Sequence, residues 1–425
     1  MKTLVIGSGG REHALSLALA RDESVTAVHV APGNPGMSFA TAHQIDPADP
    51  QAVATLAARL GVDLVVIGPE GPLVAGVADA VRSTGIACFG PSREAARLEG
   101  SKAFAKEVMA AAGVPTGMAH ICDTEAEAAA ALDAFGPPYV VKQDGLAAGK
   151  GVVVTTDRAA AMAHAAAHGR VLIEEFLDGP EVSLFAVTDG TTVLPMQPAQ
   201  DFKRLGDGDE GPNTGGMGAY TPLPWAPDSL VDETVQRVLQ PTVDEMRRRG
   251  TPFQGLLYAG LALTPRGVRV VEFNARFGDP ETQPLMAVLK TPLGALLHSA
   301  ATGGLLDAGP IRWHDGAAVT VVVAAHGYPQ SPRLADEIRG IDEAETIPGV
   351  DVIHAGTAYR DGALVTAGGR VLAVTARADD LGTARDRAYA GVARIRIDGS
   401  HHRTDIAAAA VQAIAAGAAV DVDAR

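Results

Sequence analysis

The sequence predicts an α/β protein of several domains, and three observations carry that prediction. Strands and helices alternate over the first ninety residues, short strands flank a glycine-rich hairpin after residue 115, and β-rich segments close the chain from about residue 326. In order, strands are expected at Thr3–Ile6, Ala27–Val30, Leu64–Ile67 and Ala87–Phe89, with helices near 11–21, 51–60 and 72–84. That rhythm is the signature of an N-terminal doubly wound parallel sheet. Residues 94–112 read as one helix, and GVPTG then breaks the chain. From 115 to 186 the pattern is a compact α+β unit built on a hairpin, one Ala-rich helix and VLIEEFLDGPEVSLFAV. Longer strands follow over 187–325, interrupted by a polar, Gly-rich segment at 205–218. The last part is a β-rich domain with a helix at 380–393, and the Ala-rich Ile406–Val420 reads as a terminal helix. The expected domains are 1–100, then 101–114 together with 187–325, then 115–186 and 326–425.

Composition narrows the functions. At 425 residues the chain has ample core, and its 47% hydrophobic and 20% charged residues are those of an ordinary globular protein. A net charge of −15 offers no basic field, so no nucleic acid and no anionic membrane is expected as a partner. Cys88 and Cys122 are the only cysteines and make neither a disulfide framework nor a zinc set. No apolar run approaches the roughly 18–20 residues that span a bilayer. MKTLVIGSGGREH reaches a turn and charges too early for the apolar region of a signal peptide. A cytoplasmic location is expected.

The most informative motif is VRVVEFNARFGDPE, residues 268–281. Val268–Phe273 reads as a strand, so Glu272, Asn274 and, if the strand continues, Arg276 project to one side. A carboxylate and an amide oxygen are hard ligands of the kind Mg²⁺ takes when substrate phosphates complete its shell. Arg276 beside them offers a fork for a phosphate or carboxylate. An ion pair on a sheet face would use the same residues. Gly7-Ser8-Gly9-Gly10 follows the first strand and opens a helix, where backbone N–H groups attract an anion. The third glycine of a dinucleotide fingerprint would fall at Glu12, and the acid expected ~20 residues on is missing. That argues against a nicotinamide cofactor and leaves room for a sugar phosphate. Gly68-Pro69-Glu70 follows another strand and reads equally as a turn or a ligand loop. In YVVKQDGLAAGKG, Gly145 to Lys150 is one residue short of a Walker A spacing and a strand follows instead of a helix. A hairpin with Lys142 at its base and Lys150 in its tip can instead close over a triphosphate.

Taken in order, SGGREHAL, GPEGPLV, LEGSKAF, DGLAAGKG, EEFLDGPEVS, GPNTGGMGAY, EFNARFGDPETQ and AAHGYP resemble the ATP-grasp enzymes. Among these, the chain is similar to the phosphoribosylamine–glycine ligase (glycinamide ribonucleotide synthetase) family from its first strand to its last helix. The resemblance implies a Rossmann-like substrate domain, an ATP-grasp core with a small α+β lid and a β-rich C-terminal domain. It implies ATP and Mg²⁺ or Mn²⁺ as cofactors, and glycine and 5-phosphoribosylamine as substrates. The amidotransferase that makes phosphoribosylamine is the one macromolecular partner expected, in transient contact. Lys102, Lys142 and Lys150 would contact ATP phosphates, with Gly149 and Gly151 in the same loop. Glu174, Glu175, Phe176 and Leu177 would read the adenine, and Glu181 the ribose. Glu272 and Asn274 would bind the metal. Gly9 and Gly10 would face the substrate phosphate, with Asn34 and Glu70 near the sugar. Asp201, Lys203, Asn213, Thr214, Gly215, Gly216, Arg276 and Asp279 would line the acyl-transfer site, with Lys142, Arg276, Lys203 and Asp201 as the catalytic set.

The chain departs from the family pattern in places. Phe202 stands where the family usually has His, so that position does no acid–base chemistry. The stretch from Val154 to Val171 is shorter than usual, and the usual Asp-Ile-Gly is Asp405-Ile406-Ala407. FQGLLYAGLAL (253–263) carries no further acidic metal ligand. The alternatives are another ATP-grasp ligase or carboxylase acting on a related purine precursor, and a nucleotide-sensing protein with a vestigial site.

Overall fold

The strand Lys2–Gly7 buries Leu4, Val5 and Ile6 completely and lies at the centre of the first sheet. In the computed structural model, which describes residues 1–146 and 151–416, five parallel strands run in the order Thr41–Ala42, Ala27–Pro32, Lys2–Gly7, Leu64–Ile67, Ala87–Phe89. The expected strands are present. The two-residue edge strand was not foreseen, being too short to leave an apolar pattern. The expected helix at 72–84 is two, Glu70–Ala75 and Val77–Ser83, separated by Gly76 at φ +92°. The strand order reverses beside Lys2–Gly7, and the loops Gly7–Gly9 and Gly68–Glu70 leave the carboxyl ends at that point, where such sheets bind ligands.

Glu12 organises this corner. Its carboxylate accepts the Gly9 N–H (2.6 Å) and the Arg11 Nε–H (2.7 Å). Gly7 at φ +127° and Gly68 both pack against it, and a Cβ on Gly68 would stand 2.2 Å from Glu12 Oε1. The carboxylate therefore fills the space that a dinucleotide fingerprint leaves empty with its third glycine. Gly68→Ala is expected to destabilise the fold by about 1–3 kcal/mol through overpacking. Calorimetry tests this, and an unchanged melting temperature would mean that Glu12 swings aside freely.

The expected helix over 94–112 is also two, Arg97–Gly100 and Lys102–Ala112, because Ser101 is extended and caps the second through its hydroxyl on Phe104 N–H (3.2 Å). The small unit's antiparallel sheet has the order Ala119–Cys122, Val171–Glu174, Tyr139–Gln143, Val152–Thr155. The expected boundary at 186/187 falls inside Glu181–Asp189, which pairs along its length with Gln254–Thr264 of the central sheet. By sheet membership the small unit ends at Glu174. The central sheet continues to Gly267–Asn274. The third sheet has the order Gln200–Asp201, Gly218–Thr221, Ala317–Ala324, Arg370–Ala378, Val350–His354, so it starts well ahead of residue 326. Helices Thr282–Val288 and Leu381–Val392 pack against it. Ile406 is buried, and the terminal helix runs Ala408–Ala416.

The first and third sheets meet at a neutral histidine pair. The His354 N–H donates to His13 Nδ1 (2.8 Å), and burial pushes His13 down to about 3 and His354 to about 4. Asn34 Nδ2 donates to the Ser8 and His354 carbonyls at 2.8 and 2.9 Å, bracing the same joint. Among the described residues no helix is long and apolar enough to cross a membrane.

Candidate active site

A cleft of about 1330 Å³ opens where the first sheet, the small unit and the central sheet converge, and Arg370 of the third sheet closes one end. Its floor is the strand Gly267–Asn274. Glu272 faces Gly260 and Asn274 faces Tyr258 on the neighbouring strand, so period-two alternation sends both side chains into the cleft. The strand ends at Asn274, and Arg276 enters the cleft from the turn beyond it. Burial pushes the Glu272 pKa up, but Lys203, Lys142, Lys102 and Arg276 together hold it below the usual carboxylate range. Among the described residues no hydrogen bond to its carboxylate is recorded, so an ionised hard oxygen faces the cleft beside the Asn274 amide oxygen. This donor set fits a divalent cation that draws its remaining ligands from phosphates and water. No group of three or more His, Cys, Asp or Glu suited to hold a metal alone occurs among the described residues.

Two lysines project from the walls above this strand. Lys142, buried on Tyr139–Gln143, donates to the Val271 carbonyl (2.9 Å) and pairs with Glu174 (3.1 Å). Among the described residues nothing else bonds this ammonium, which leaves one N–H to a ligand. Lys102 donates to the Gly145 carbonyl at 2.9 Å, while Asp144 accepts the Lys102 N–H at 2.8 Å and so caps that helix from the hairpin. Glu174 lines the cleft beside these lysines. Its carboxylate, only 4% exposed, lies between Lys142 and Lys106. Lys106, which the sequence reading missed, spends its other donors on Thr116 Oγ1 (2.9 Å) and the Gly117 carbonyl (3.0 Å). The wall beside them is apolar: Val140, Val152, Val154, Phe176, Leu177 and Leu263 form a slot suited to a planar ring. The Glu175 N–H donates to the Met118 carbonyl, and its carboxylate accepts the Met118 N–H and pairs with Arg266, so its side chain braces the hinge.

At the far end Glu181 pairs with Lys203, and Lys203 lies beside Asp201. Burial lifts the Asp201 carboxyl to about 7, Lys203 opposes the lift, and Glu281 and Glu181 support it. Arg276 does not present a free fork. Nη2 reaches Glu99 (2.9 Å) and Asn274 Oδ1 (3.2 Å), and Nε reaches Glu70 (3.3 Å). Glu99 also accepts the Ala275 N–H at 2.7 Å. The guanidinium thus ties Glu70, which opens the helix after the strand Leu64–Ile67, to the candidate metal ligand Asn274. Asp279 pairs with Arg370 at 3.1 Å, and Arg370 also donates to the Gly215 and Asp279 carbonyls.

Lys102, Lys142, Gly151, Glu174, Glu175, Phe176, Leu177, Glu181, Asp201, Lys203, Asn213, Thr214, Gly215, Glu70, Glu272, Asn274, Arg276 and Asp279 all line this one cleft. Gly9, Gly10 and Asn34 are not among its described lining residues: the Gly9 N–H is taken by Glu12, the Asn34 amide by Ser8 and His354, and Gly10 lies against Gln283 and Asp279. Gly216 is buried against Pro280. Gly149 and Lys150 fall outside the described residues. Arg11, Glu99 and Glu281 lie inside motifs already singled out but were given no role there, and Lys106 lies just beyond one; tertiary contact brings all four to the cleft. The described lining is dominated by Lys, Arg, Asp and Glu, so the cleft offers charge and alignment.

Family models agree with this geometry. The N domain of phosphoribosylglycinamide synthetase matches residues 1–99, its ATP-grasp (A) domain 100–282 and its C domain 318–409. A phosphoribosylamine–glycine ligase of Streptomyces coelicolor is 69% identical over 97% of this chain and 100% of its own length. The crystal structure of the phosphoribosylamine–glycine ligase of Thermotoga maritima superposes with a TM-score of 0.83 at 32% identity, covering 96% of this chain and 100% of that one. A biotin carboxylase domain from Hydrogenobacter thermophilus, solved with MgADP and bicarbonate, shares the fold at a TM-score of 0.71 and 19% identity, over 94% of this chain and 91% of that one.

Proposed function

The chain belongs to the phosphoribosylglycinamide synthetase family, and on that premise we propose that it joins glycine to 5-phosphoribosylamine with ATP, giving glycinamide ribonucleotide, ADP and phosphate. One observation carries the reading: an ionised Glu272 and Asn274 on one strand, with Lys102, Lys142 and Lys203 around them, in a cleft that also touches the substrate-domain loop at Glu70. A carboxylate is a poor acylating agent because oxide would have to leave. Transfer of the γ-phosphoryl group to the glycine carboxylate gives glycyl phosphate, and phosphate then leaves as the amine attacks. Such a transfer asks for alignment and charge neutralisation, which this residue set supplies.

In this reading the adenine lies in the slot beside Phe176 and Leu177, and Lys142 and Lys102 hold the phosphates. Glu272 and Asn274 would hold Mg²⁺ or Mn²⁺, which neutralises developing phosphate charge when bound. Asp201, its pKa lifted to about 7 by burial, would in its ionised form take the proton that the attacking amine loses. Lys203 and Arg370 flank the acyl-transfer end. The setting is the cytoplasm, with transient contact with the amidotransferase that makes the amine.

The test is ADP release with Mg²⁺, glycine and freshly generated phosphoribosylamine, omitting each in turn. Release that needs both co-substrates and yields an amide ribonucleotide supports the reading. Bicarbonate-dependent release without glycine would replace it with a carboxylase. Lys142→Ala should raise the KM for ATP about 10–100-fold, the range expected for a lost charge-assisted hydrogen bond. An unchanged KM would move phosphate binding off this lysine.

A further inference from the structure

We propose that Arg403, from the C-terminal unit, is a positioning residue that holds Lys203 at the acyl-transfer end of the cleft. The proposal rests on the functional reading above. Lys203 sits on a short run in which Asp201 and Lys203 face the cleft while Phe202 turns into the core. Arg403 is 1% exposed, and its single guanidinium grips the residues on both sides of Lys203. Its carbon lies 4.8 Å from the centre of the Phe202 ring, and Nη1 donates to the Arg204 carbonyl at 3.2 Å. The departure from the family's usual His at Phe202 thus supplies the apolar π face on which the cation rests.

Arg403 is in turn fixed so that it cannot yield. Nε and Nη2 donate to the two Asp405 oxygens at 2.7 and 2.6 Å, and Nη1 also donates to Asp209 at 2.6 Å. Asp405 accepts the Gly208 N–H (2.9 Å), Asp207 accepts the Thr404 N–H (2.8 Å), and the His401 imidazole donates to the Leu205 carbonyl (2.8 Å). Residues 401–405 and 204–209 are stitched together along their length. On the other side Thr214 N–H and its hydroxyl donate to the Lys203 carbonyl at 2.7 and 2.8 Å. The Lys203 backbone is therefore clamped from both sides, and its ammonium is left to pair with Glu181 and face the cleft. A buried arginine stabilises little beyond its desolvation cost. Spent on the two neighbours of one cleft lysine, it fixes a position.

The experiment is a double-mutant cycle in the full chain with Arg403→Gln and Lys203→Gln, reading kcat, the KM of each substrate and the melting temperature. Arg403→Gln should lower kcat/KM for glycine and the amine about 100-fold, the cost of misplacing a group by about 1 Å, and leave the KM for ATP unchanged. The double variant should lose no more than the worse single variant, because both act through one ammonium. Phe202→Leu should reproduce a smaller loss of about tenfold in the same parameters, and it replaces Arg403→Gln in the cycle if that variant does not fold. Losses that multiply in the double variant, or a lower melting temperature with kcat/KM retained, would overturn the proposal. A wild-type chain that fails to ligate would overturn the functional reading itself, which the same series shows separately.

Discussion

Glu272→Ala is expected to lower the rate of ADP and amide formation about 10³-fold, with the KM for ATP unchanged or lower and the fold intact. The rate loss follows from removing the only ionised oxygen of the candidate metal pair, a contribution of several kcal/mol at roughly 1.4 kcal/mol per factor of ten. The KM follows from charge. Lys203, Lys142, Lys102 and Arg276 surround this carboxylate, so freeing them toward a polyphosphate offsets the charge that a less tightly held metal no longer brings. The cations around it outweigh burial, so its removal costs some stability, but the carboxylate is only half-buried and faces the open cleft, which keeps that cost small beside the loss in rate. Glu272→Gln should lose as much, since an amide keeps the shape and lacks the charge. Steady-state rates across a Mg²⁺ series decide the matter. If Glu272→Ala keeps more than about a tenth of the activity at ordinary Mg²⁺, the metal is held elsewhere.

Local chemistry made much of this readable. The parallel sheet could be inferred because each buried strand ends at a turn such as Gly7-Ser8-Gly9 or Gly68-Pro69-Glu70. Glu272 and Asn274 could be paired because a strand alternates strictly and the pairing with Gly260 and Tyr258 keeps that alternation. The break at Ser101 was also legible in principle, as a serine whose hydroxyl caps the N–H three residues on. What stayed hidden was partner choice across the chain. Arg276 was assigned to a substrate anion because a fork fits one, but Glu70 and Glu99, far away in sequence, already occupy it. Asn34 looked like a ligand group after a strand and is a brace between two sheets. Gly9 looked like a phosphate donor, and its N–H is bonded by Glu12 only three residues on. A motif specifies which chemistry a side chain can do, whereas the fold decides whether a protein group has already claimed it.

Glu174→Ala carries the second large expectation, and here the loss is in stability. Burial alone would push this carboxyl up, yet Lys142 and Lys106 outweigh it and hold the pKa below its ordinary 4.5. Removing the carboxylate takes from the buried Lys142 and the half-buried Lys106 the ion-pair partner they share, at a cost of about 3–5 kcal/mol. The sign of the pH dependence follows from the depressed pKa. The wild-type contribution is fully present above the unfolded carboxyl's value and fades as pH falls through the lower folded value. Melting temperatures of wild type and Glu174→Ala should therefore differ most near neutrality and converge on acidification. A gap that stays constant from about pH 7 down to about pH 3 would show that the carboxylate is not ionised against these lysines in the folded chain. The same substitution should raise the KM for ATP, because Lys142 would lose one of the two anchors that aim its remaining N–H into the cleft. Glu174→Gln separates the two effects: it keeps a hydrogen-bond acceptor for Lys142 and so retains part of the aim, while it loses the charge and with it the pH dependence.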